Sequence, residues 1–321
     1  MMPETPHPPA DLVASFQHAL LHWWAGNARD LPWRRTRDPY RILVAEVMLQ
    51  QTQVDRVIPY YQRWLEAFPD VHALAEAPTA DVIRLWKGLG YNRRAVNLQR
   101  SAAAVVERGG AFPETVDELI ALPGIGPYTA GAIACFAFEQ DVPFIDTNMR
   151  RVLHRVFVGS DVPERQASDR QVLEVAEAAI PPGDGWRWNQ ALIEFGALQC
   201  TARTPACVIC PAQEQCRARP TIHSDILAAS TARRGKGKAL PFEQTNRYFR
   251  GRILDVLRER EDGAIAIHDL GALVKPDYSP DDLPWLTELV VALERDGLTA
   301  IAEDEPGYDG DAPRPLRVRL P

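Results

Sequence analysis

Four of the five cysteines of this 321-residue chain fall within seventeen residues, at Cys200, Cys207, Cys210 and Cys216, spaced Cys-x6-Cys-x2-Cys-x5-Cys. No neighbouring pair is separated by more than six residues, so four thiolates can surround one metal centre. Free cysteine is scarce, and such a cluster rarely arises by chance. A structural zinc usually shows two Cys-x2-Cys knuckles and this stretch has one, so the spacing favours an iron–sulfur cluster over zinc. A secreted disulfide framework looks different. The fifth cysteine, Cys135, lies in the apolar stretch Ala132-Ile-Ala-Cys-Phe-Ala-Phe138 and reads as core.

The rest of the chain sets the frame for that cluster. At roughly 100–200 residues per domain the length suggests two domains and allows three. No apolar run reaches the roughly 18–20 residues of a membrane span. The stretch from Met1 to Pro9 has neither a basic nor an apolar signal region, so a soluble, cytoplasmic protein is expected.

The first two-thirds reads as helix after helix. Leu12, Phe16, Leu20 and Trp23 line one helix face, and Asp38-Pro39 opens a second helix with Asp38 as cap. Further periodic segments run to Leu198, separated by turns such as Gly88-Leu-Gly90 and Pro123-Gly-Ile-Gly126. The fold class expected is all-α: a helical core over 10–227, a small, polar, basic linker over 228–240, and a winged-helix-like module of three helices and a terminal hairpin over 241–321.

Net charge is −7, but residues 261–321 hold 14 acidic against 5 basic side chains and the first 260 residues are net +2. A basic face on the larger part is therefore compatible with an acidic whole.

Three places carry chemistry. Glu46 interrupts the apolar run Ile42-Leu-Val-Ala-Glu-Val-Met-Leu49. A carboxylate buried there would hold its proton near neutral pH, whereas one facing outward or paired with an arginine would be structural. Gln50-Gln-Thr-Gln53 follows, either a solvated helix end or a set of side chains that probe a duplex. Leu122-Pro-Gly-Ile-Gly126 places two glycines before a helix start, which is either a plain turn or a phosphate site. Asp146, at the start of Asp146-Thr-Asn148, reads as a helix cap, a role compatible with catalysis.

These residues together resemble the helix-hairpin-helix superfamily of DNA glycosylases, and within it the MutY type of adenine glycosylase. The matching segments are Leu31-Pro-Trp33, Asp38-Pro-Tyr40, Glu46 to Val54, Leu85-Trp86, Gly88-Leu-Gly-Tyr91, Leu122 to Gly126, Ile145-Asp146 with Asn148, and Trp188 to Glu194. The resemblance spans about residues 12–220, and the cysteine spacing fits the family's [4Fe–4S] cluster. It implies Glu46 as the acid that protonates a flipped adenine and Asp146 as the carboxylate that stabilises the sugar cation. The two then need opposite protonation at one pH. Tyr128 stands where strand-cutting relatives carry a lysine, which implies base removal without Schiff-base lyase chemistry. Gln51 and Tyr91 are implied as wedges, Asn148 as a positioning group, and Glu194 as a pocket residue near the base. The amides of Gly124 to Gly126 are implied to hold a phosphate with a monovalent cation.

Arg34, Arg35, Arg150, Arg151 and the linker residues Arg233 to Lys238 are candidate phosphate contacts, joined by Arg247, Arg250 and Arg252. The expected partner is double-stranded DNA carrying a mispair or lesion, bound by a monomer. Many MutY enzymes end in a hydrolase-like domain that reads 8-oxoguanine; residues 239–321 do not look like it. The acidic C-terminal segment is expected to pack on the core or bind a protein partner. Two other readings stay open: a glycosylase removing thymine or uracil opposite guanine, and a non-catalytic DNA-binding iron–sulfur protein.

Overall fold

The computed structural model describes residues 8–233, 240–260, 263–302 and 316–321. In chain order the helices are α1 (Ala10–Asn27), α2 (Pro39–Leu49), α3 (Val54–Ala67), α4 (Val71–Glu76), α5 (Thr79–Leu85), α6 (Arg93–Glu107), α7 (Val116–Ile120) and α8 (Pro127–Phe138). They continue with α9 (Thr147–Leu153), α10 (Asp169–Ala179), α11 (Gly185–Leu198), α12 (Ile222–Arg233), α13 (Asn246–Arg258), α14 (Ile267–Val274) and α15 (Leu283–Arg295). Strands β1 (Ile265–Ala266), β2 (Ala300–Ala302) and β3 (Arg317–Arg319) form an antiparallel sheet in the order β1-β3-β2. The first two-thirds is thus helical, as the periodicity predicts. Among the described residues no helix is long and apolar enough to cross a membrane.

The chain divides into two compact units. The first comprises residues 1–43, 113–121 and 125–237; the second comprises 44–112, 122–124 and 238–321. In the first, α1 lies against α11 through aromatic edges: Phe16 meets Trp188 at 5.6 Å and Trp23 meets Phe195 at 5.0 Å between ring centroids. Cys135 is buried on α8, where burial pushes its thiol up to about 12 and Asn189 Nδ2 donates to its Sγ at 3.4 Å. In the second unit Trp64 of α3 meets Trp86 edge-on at 5.3 Å. Gln99 of α6 donates to the carbonyls of Leu74 and Ala77, holding the end of α4.

The C-terminal segment shares a core with α5 and α6. Ile83 and Val96 are buried in one apolar cluster with Ile253, Leu257, Leu270, Leu286, Leu293 and Val318. Arg258 ties the seam, donating from Nε to the Ile83 carbonyl at 3.1 Å and from Nη2 to Asn92 Oδ1 at 2.7 Å.

Two sequence expectations change. The segment expected as linker from residue 228 is helical through Arg233, because α12 continues across it; linker residues 234–239 lie outside the described residues, and so do the acidic residues 303–315. Helix α4 went unpredicted: six residues are too few to show a period, although Asp70 caps it by accepting from Ala73 N.

Candidate active site and DNA interface

Helix α2 starts where the sequence says it should. Asp38 Oδ1 accepts from the Tyr40 amide at 2.9 Å, and Pro39 occupies the first turn. Ile42 to Met48 are all buried, and Glu46 among them is 5% exposed, the one charged side chain of that run. The outward-facing alternative for Glu46 is thereby excluded.

Asp146 lies half-buried at the start of α9. Its Oδ1 accepts from the Met149 amide at 2.6 Å and its Oδ2 from Asn148 Nδ2 at 3.0 Å. Asn148 Oδ1 in turn accepts from Arg151 Nη2 at 2.9 Å, and Arg151 Nε donates to the carbonyl of Cys200 at 2.7 Å. One chain of hydrogen bonds therefore runs from the carboxylate to the first cysteine of the cluster. A Cβ on Gly196 would come within 2.7 Å of Asn148 Cβ, so this relay needs glycine on the facing helix. Burial raises the Asp146 carboxyl above its ordinary value, against the pull of Met149, Asn148 and Arg151. Desolvation thus works against the charge that the sugar-stabilising role asks of Asp146. Phe144, two residues earlier, packs edge-on against half-buried Tyr128 of α8 at 5.7 Å.

Glu194 is fully buried on α11. Its Oε1 accepts from the Arg29 amide and Nε at 2.9 and 2.8 Å, and its Oε2 from Arg29 Nη2 and Arg34 Nη2 at 2.8 and 2.9 Å. Arg34 Nε also donates to Gln190 Oε1 at 2.7 Å. Burial alone would raise this carboxyl, but the two guanidiniums and the amide bring it down to about 2. Arg34 is thus engaged with Glu194. Arg35, by contrast, is exposed and pairs with Asp30.

The two expected wedge residues share an unusual backbone. Gln51 has φ of 58° and Tyr91 has φ of 46°, left-handed conformations that non-glycine residues rarely hold without support. The support is Arg94, which spacing alone does not reveal. Its Nη1 donates to the carbonyls of Val47 at 2.7 Å, Met48 at 3.1 Å and Gln50 at 2.5 Å. Its Nη2 donates to Leu89 and Gly90, both at 3.1 Å. One guanidinium therefore fastens the end of α2 to the Gly88–Tyr91 turn. Tyr91 itself is 46% exposed, and Gln51 is exposed. Tyr91 is therefore not packed into the core beside Trp86.

In the glycine turn, Gly124 has φ of 76° and a Cβ there would come within 2.6 Å of Asn97 Cβ, so glycine is required twice over. Gly126 has room for a side chain and precedes Pro127 at the start of α8.

Cys200, Cys207, Cys210 and Cys216 line one small cavity with Arg155, Phe195 and Ile222. Arg155 Nη1 donates to Cys200 Sγ at 3.6 Å and to the Thr201 carbonyl at 2.8 Å, and Cys216 Sγ donates to the Arg155 carbonyl at 3.4 Å. Four soft donors and a cation around one cavity fit an anionic iron–sulfur cluster. Among the described residues no three His, Cys, Asp or Glu side chains form a group that could hold a single metal ion.

Comparison with known proteins places this geometry in a family. Residues 44–178 match the model of the HhH-GPD superfamily base excision DNA repair proteins. Over 243 residues the chain is 44% identical to the adenine DNA glycosylase of Mycolicibacterium smegmatis, covering 75% of this chain and 79% of that one. The chain belongs to this HhH-GPD family of DNA repair proteins. Human adenine DNA glycosylase is 43% identical over 229 residues, 68% of this chain and 42% of the human protein. Among solved structures, a thermostable thymine-DNA glycosylase superposes with a TM-score of 0.61 at 30% identity, over 66% of this chain and 98% of the other. Endonuclease III trapped in a covalent DNA intermediate superposes at 0.57 with 25% identity, over 66% and 98%.

Proposed function

We propose that this HhH-GPD protein is an adenine DNA glycosylase of base excision repair, hydrolysing the N-glycosidic bond of adenine mispaired with guanine or 8-oxoguanine. The observation that carries the reading is Glu46, a buried carboxylate on α2 within Glu46-Val-Met-Leu-Gln-Gln-Thr-Gln-Val54, in a chain 44% identical to a curated adenine DNA glycosylase.

The chemistry follows from the leaving group. Adenine departs poorly until N7 is protonated, and a desolvated Glu46 is the donor. Departure leaves an oxocarbenium-like sugar, and Asp146, its Oδ2 held by Asn148, stabilises that charge. Asp146 acts as the carboxylate, and its burial leaves that charge poorly solvated, so it acts at greater strength on a cation developing beside it. Glu46 then helps activate the attacking water. Tyr128 has no amine to attack the sugar, so the enzyme is monofunctional and leaves an abasic site. Gln51 and Tyr91 fill the gap left by the flipped base, held in readiness by Arg94. Glu194 orients Arg29 and Arg34 at the pocket for the adenine.

Gly124 and Gly126 present backbone amides to a phosphate, with a monovalent cation. Cys200, Cys207, Cys210 and Cys216 would hold a [4Fe–4S] cluster, which would stiffen the loop that Arg151 joins to Asp146. Residues 10–227 form the glycosylase core, and 241–321, three helices with a three-stranded sheet, form a winged-helix-like module.

The test is single-turnover incubation of excess protein with duplexes carrying A:8-oxoG, A:G, T:G or U:G, followed by alkali to reveal abasic sites. Cleavage at adenine alone, lost in Glu46→Gln and Asp146→Asn, is the expected result. Cleavage at thymine or uracil moves the enzyme to the mismatch-pyrimidine branch, the reading its likeness to a thymine-DNA glycosylase at 30% identity keeps in view. DNA binding with an intact cluster and no cleavage overturns the catalytic roles. Strand cleavage without alkali overturns the monofunctional reading.

A further inference from the structure

A cavity of about 690 Å³ lies entirely inside the second unit, with Tyr91 and Arg93 on one wall and Phe242, Arg247, Tyr248 and Arg250 on the other. Its charge is opposite to that of the chain. Five arginines line it, Arg93, Arg94, Arg247, Arg250 and Arg252, against two carboxylates. Both carboxylates are already neutralised: Asp296 pairs with Arg250 at 2.5 Å and Arg93 at 3.4 Å, and Asp255 with Arg258 at 3.0 Å. The walls are also aromatic, since Phe242, 55% exposed, meets Tyr248 edge-on at 5.7 Å.

Arg247 is the telling residue. Its guanidinium lies 4.2 Å from the centroid of the Tyr91 ring, exposed, and among the described residues no carboxylate or carbonyl bonds to it. A guanidinium laid on an aromatic face keeps the edge of its fork available, and that edge matches a phosphate. Such pairing of arginine with exposed rings is the chemistry of strand binding, in which phosphates take the cations and bases take the faces. The ring that Arg247 covers is the one the proposed function assigns to the wedge.

We infer that this cavity is a DNA-strand site supplied by the C-terminal module, with Arg247 taking a backbone phosphate beside the mispair and Phe242 and Tyr248 offering stacking faces to a neighbouring base. The segment's negative charge lies beyond residue 260, whereas α13 presents Arg247, Arg250 and Arg252, the arginines the sequence already offered as phosphate contacts. The inference rests on the DNA-glycosylase reading through Tyr91.

The experiment measures binding of the full-length protein in an Asp146→Asn background, so that substrate persists, by anisotropy of a labelled A:G duplex over a salt series. Arg247→Ala is expected to weaken binding about tenfold and lower the salt slope by about one phosphate contact. Arg247→Lys restores the slope but only part of the affinity, because the stack is lost. Phe242→Ala weakens binding with the slope unchanged. Arg319→Ala, an exposed arginine on β3 outside the cavity, binds like the parent, and thermal melts of all four variants match the parent. Unchanged affinity in Arg247→Ala, or an equal loss in Arg319→Ala, overturns the site. Base release by the unsubstituted enzyme is measured separately. A protein that releases no adenine yet loses affinity in Arg247→Ala keeps this site and refutes the adenine reading; the reverse pair of results does the opposite.

Discussion

Asp146 caps α9 with one oxygen and is held by Asn148 through the other, while its burial raises its pKa. A raised carboxyl favours the folded state at low pH, and that advantage is lost as pH rises from the unfolded value of about 3.9 through the folded one. Above the folded value the unfavourable contribution is fully present. Asn caps as well as Asp and carries no charge. Asp146→Asn should thus lose base release by about 10³-fold or more in single turnover yet melt no lower than the parent at pH 7. A clear drop in Tm would show that the carboxylate is a net structural asset. Glu194 has the opposite sign. Its pKa is brought down to about 2, so its clamp contributes stability above the unfolded value of about 4.3 and loses it as pH falls toward 2. Glu194→Gln leaves Arg34 buried without its counter-charge and should cost about 3–5 kcal/mol, with a flatter acid-unfolding curve between roughly pH 4.5 and 2. Urea titrations across that window check both.

At the scale of elements, the proposed wedges depend on a side chain whose guanidinium is taken up by backbone carbonyls. Arg94 satisfies carbonyls from two segments, Val47 to Gln50 and Leu89 to Gly90, that are remote in sequence, and burial brings its guanidinium down to about 10. Lysine cannot bridge both sets with one ammonium. Arg94→Lys and Arg94→Ala should each cost about 2–4 kcal/mol and weaken mispair binding more than fully paired binding, as the two left-handed residues relax. Equal loss on both duplexes would reduce Arg94 to a stability role. Glu46 stood out in the sequence as the one acid among seven apolar residues of Ile42 to Leu49, though its burial was settled only by the fold. The roles of Arg94, and of Arg29 and Arg34 against Glu194, were not legible there, because each joins groups far apart along the chain.

Over the whole molecule, the cysteine loop is joined to Asn148, and through it to Asp146, by Arg151 and the Cys200 carbonyl. Burial pushes the Cys210 thiol up to about 12, so the loop without metal holds thiols, and loading a cluster must expel protons. Cys210→Ala should lose bound iron and slow base release by about tenfold or more even where DNA is still bound. Iron and sulfide analysis beside single-turnover rates checks this, and full activity without iron would uncouple cluster from site. Zinc recovered in place of iron and sulfide would decide for the zinc alternative.

The helical core, the cap at Asp38 and the four-cysteine loop can be read along the chain alone, as can Glu46 as the one acid of an apolar run. These are matters of local pattern: period, turn chemistry and spacing act over a few residues and survive without a fold. It took the folded chain to show that residues beyond 240 share a core with α5 and α6, that one arginine supports both wedge segments, and that a basic, aromatic cavity opens beside Tyr91. Those features depend on distances between remote segments, which burial of apolar surface and pairing of buried polar groups fix only once the chain has closed on itself.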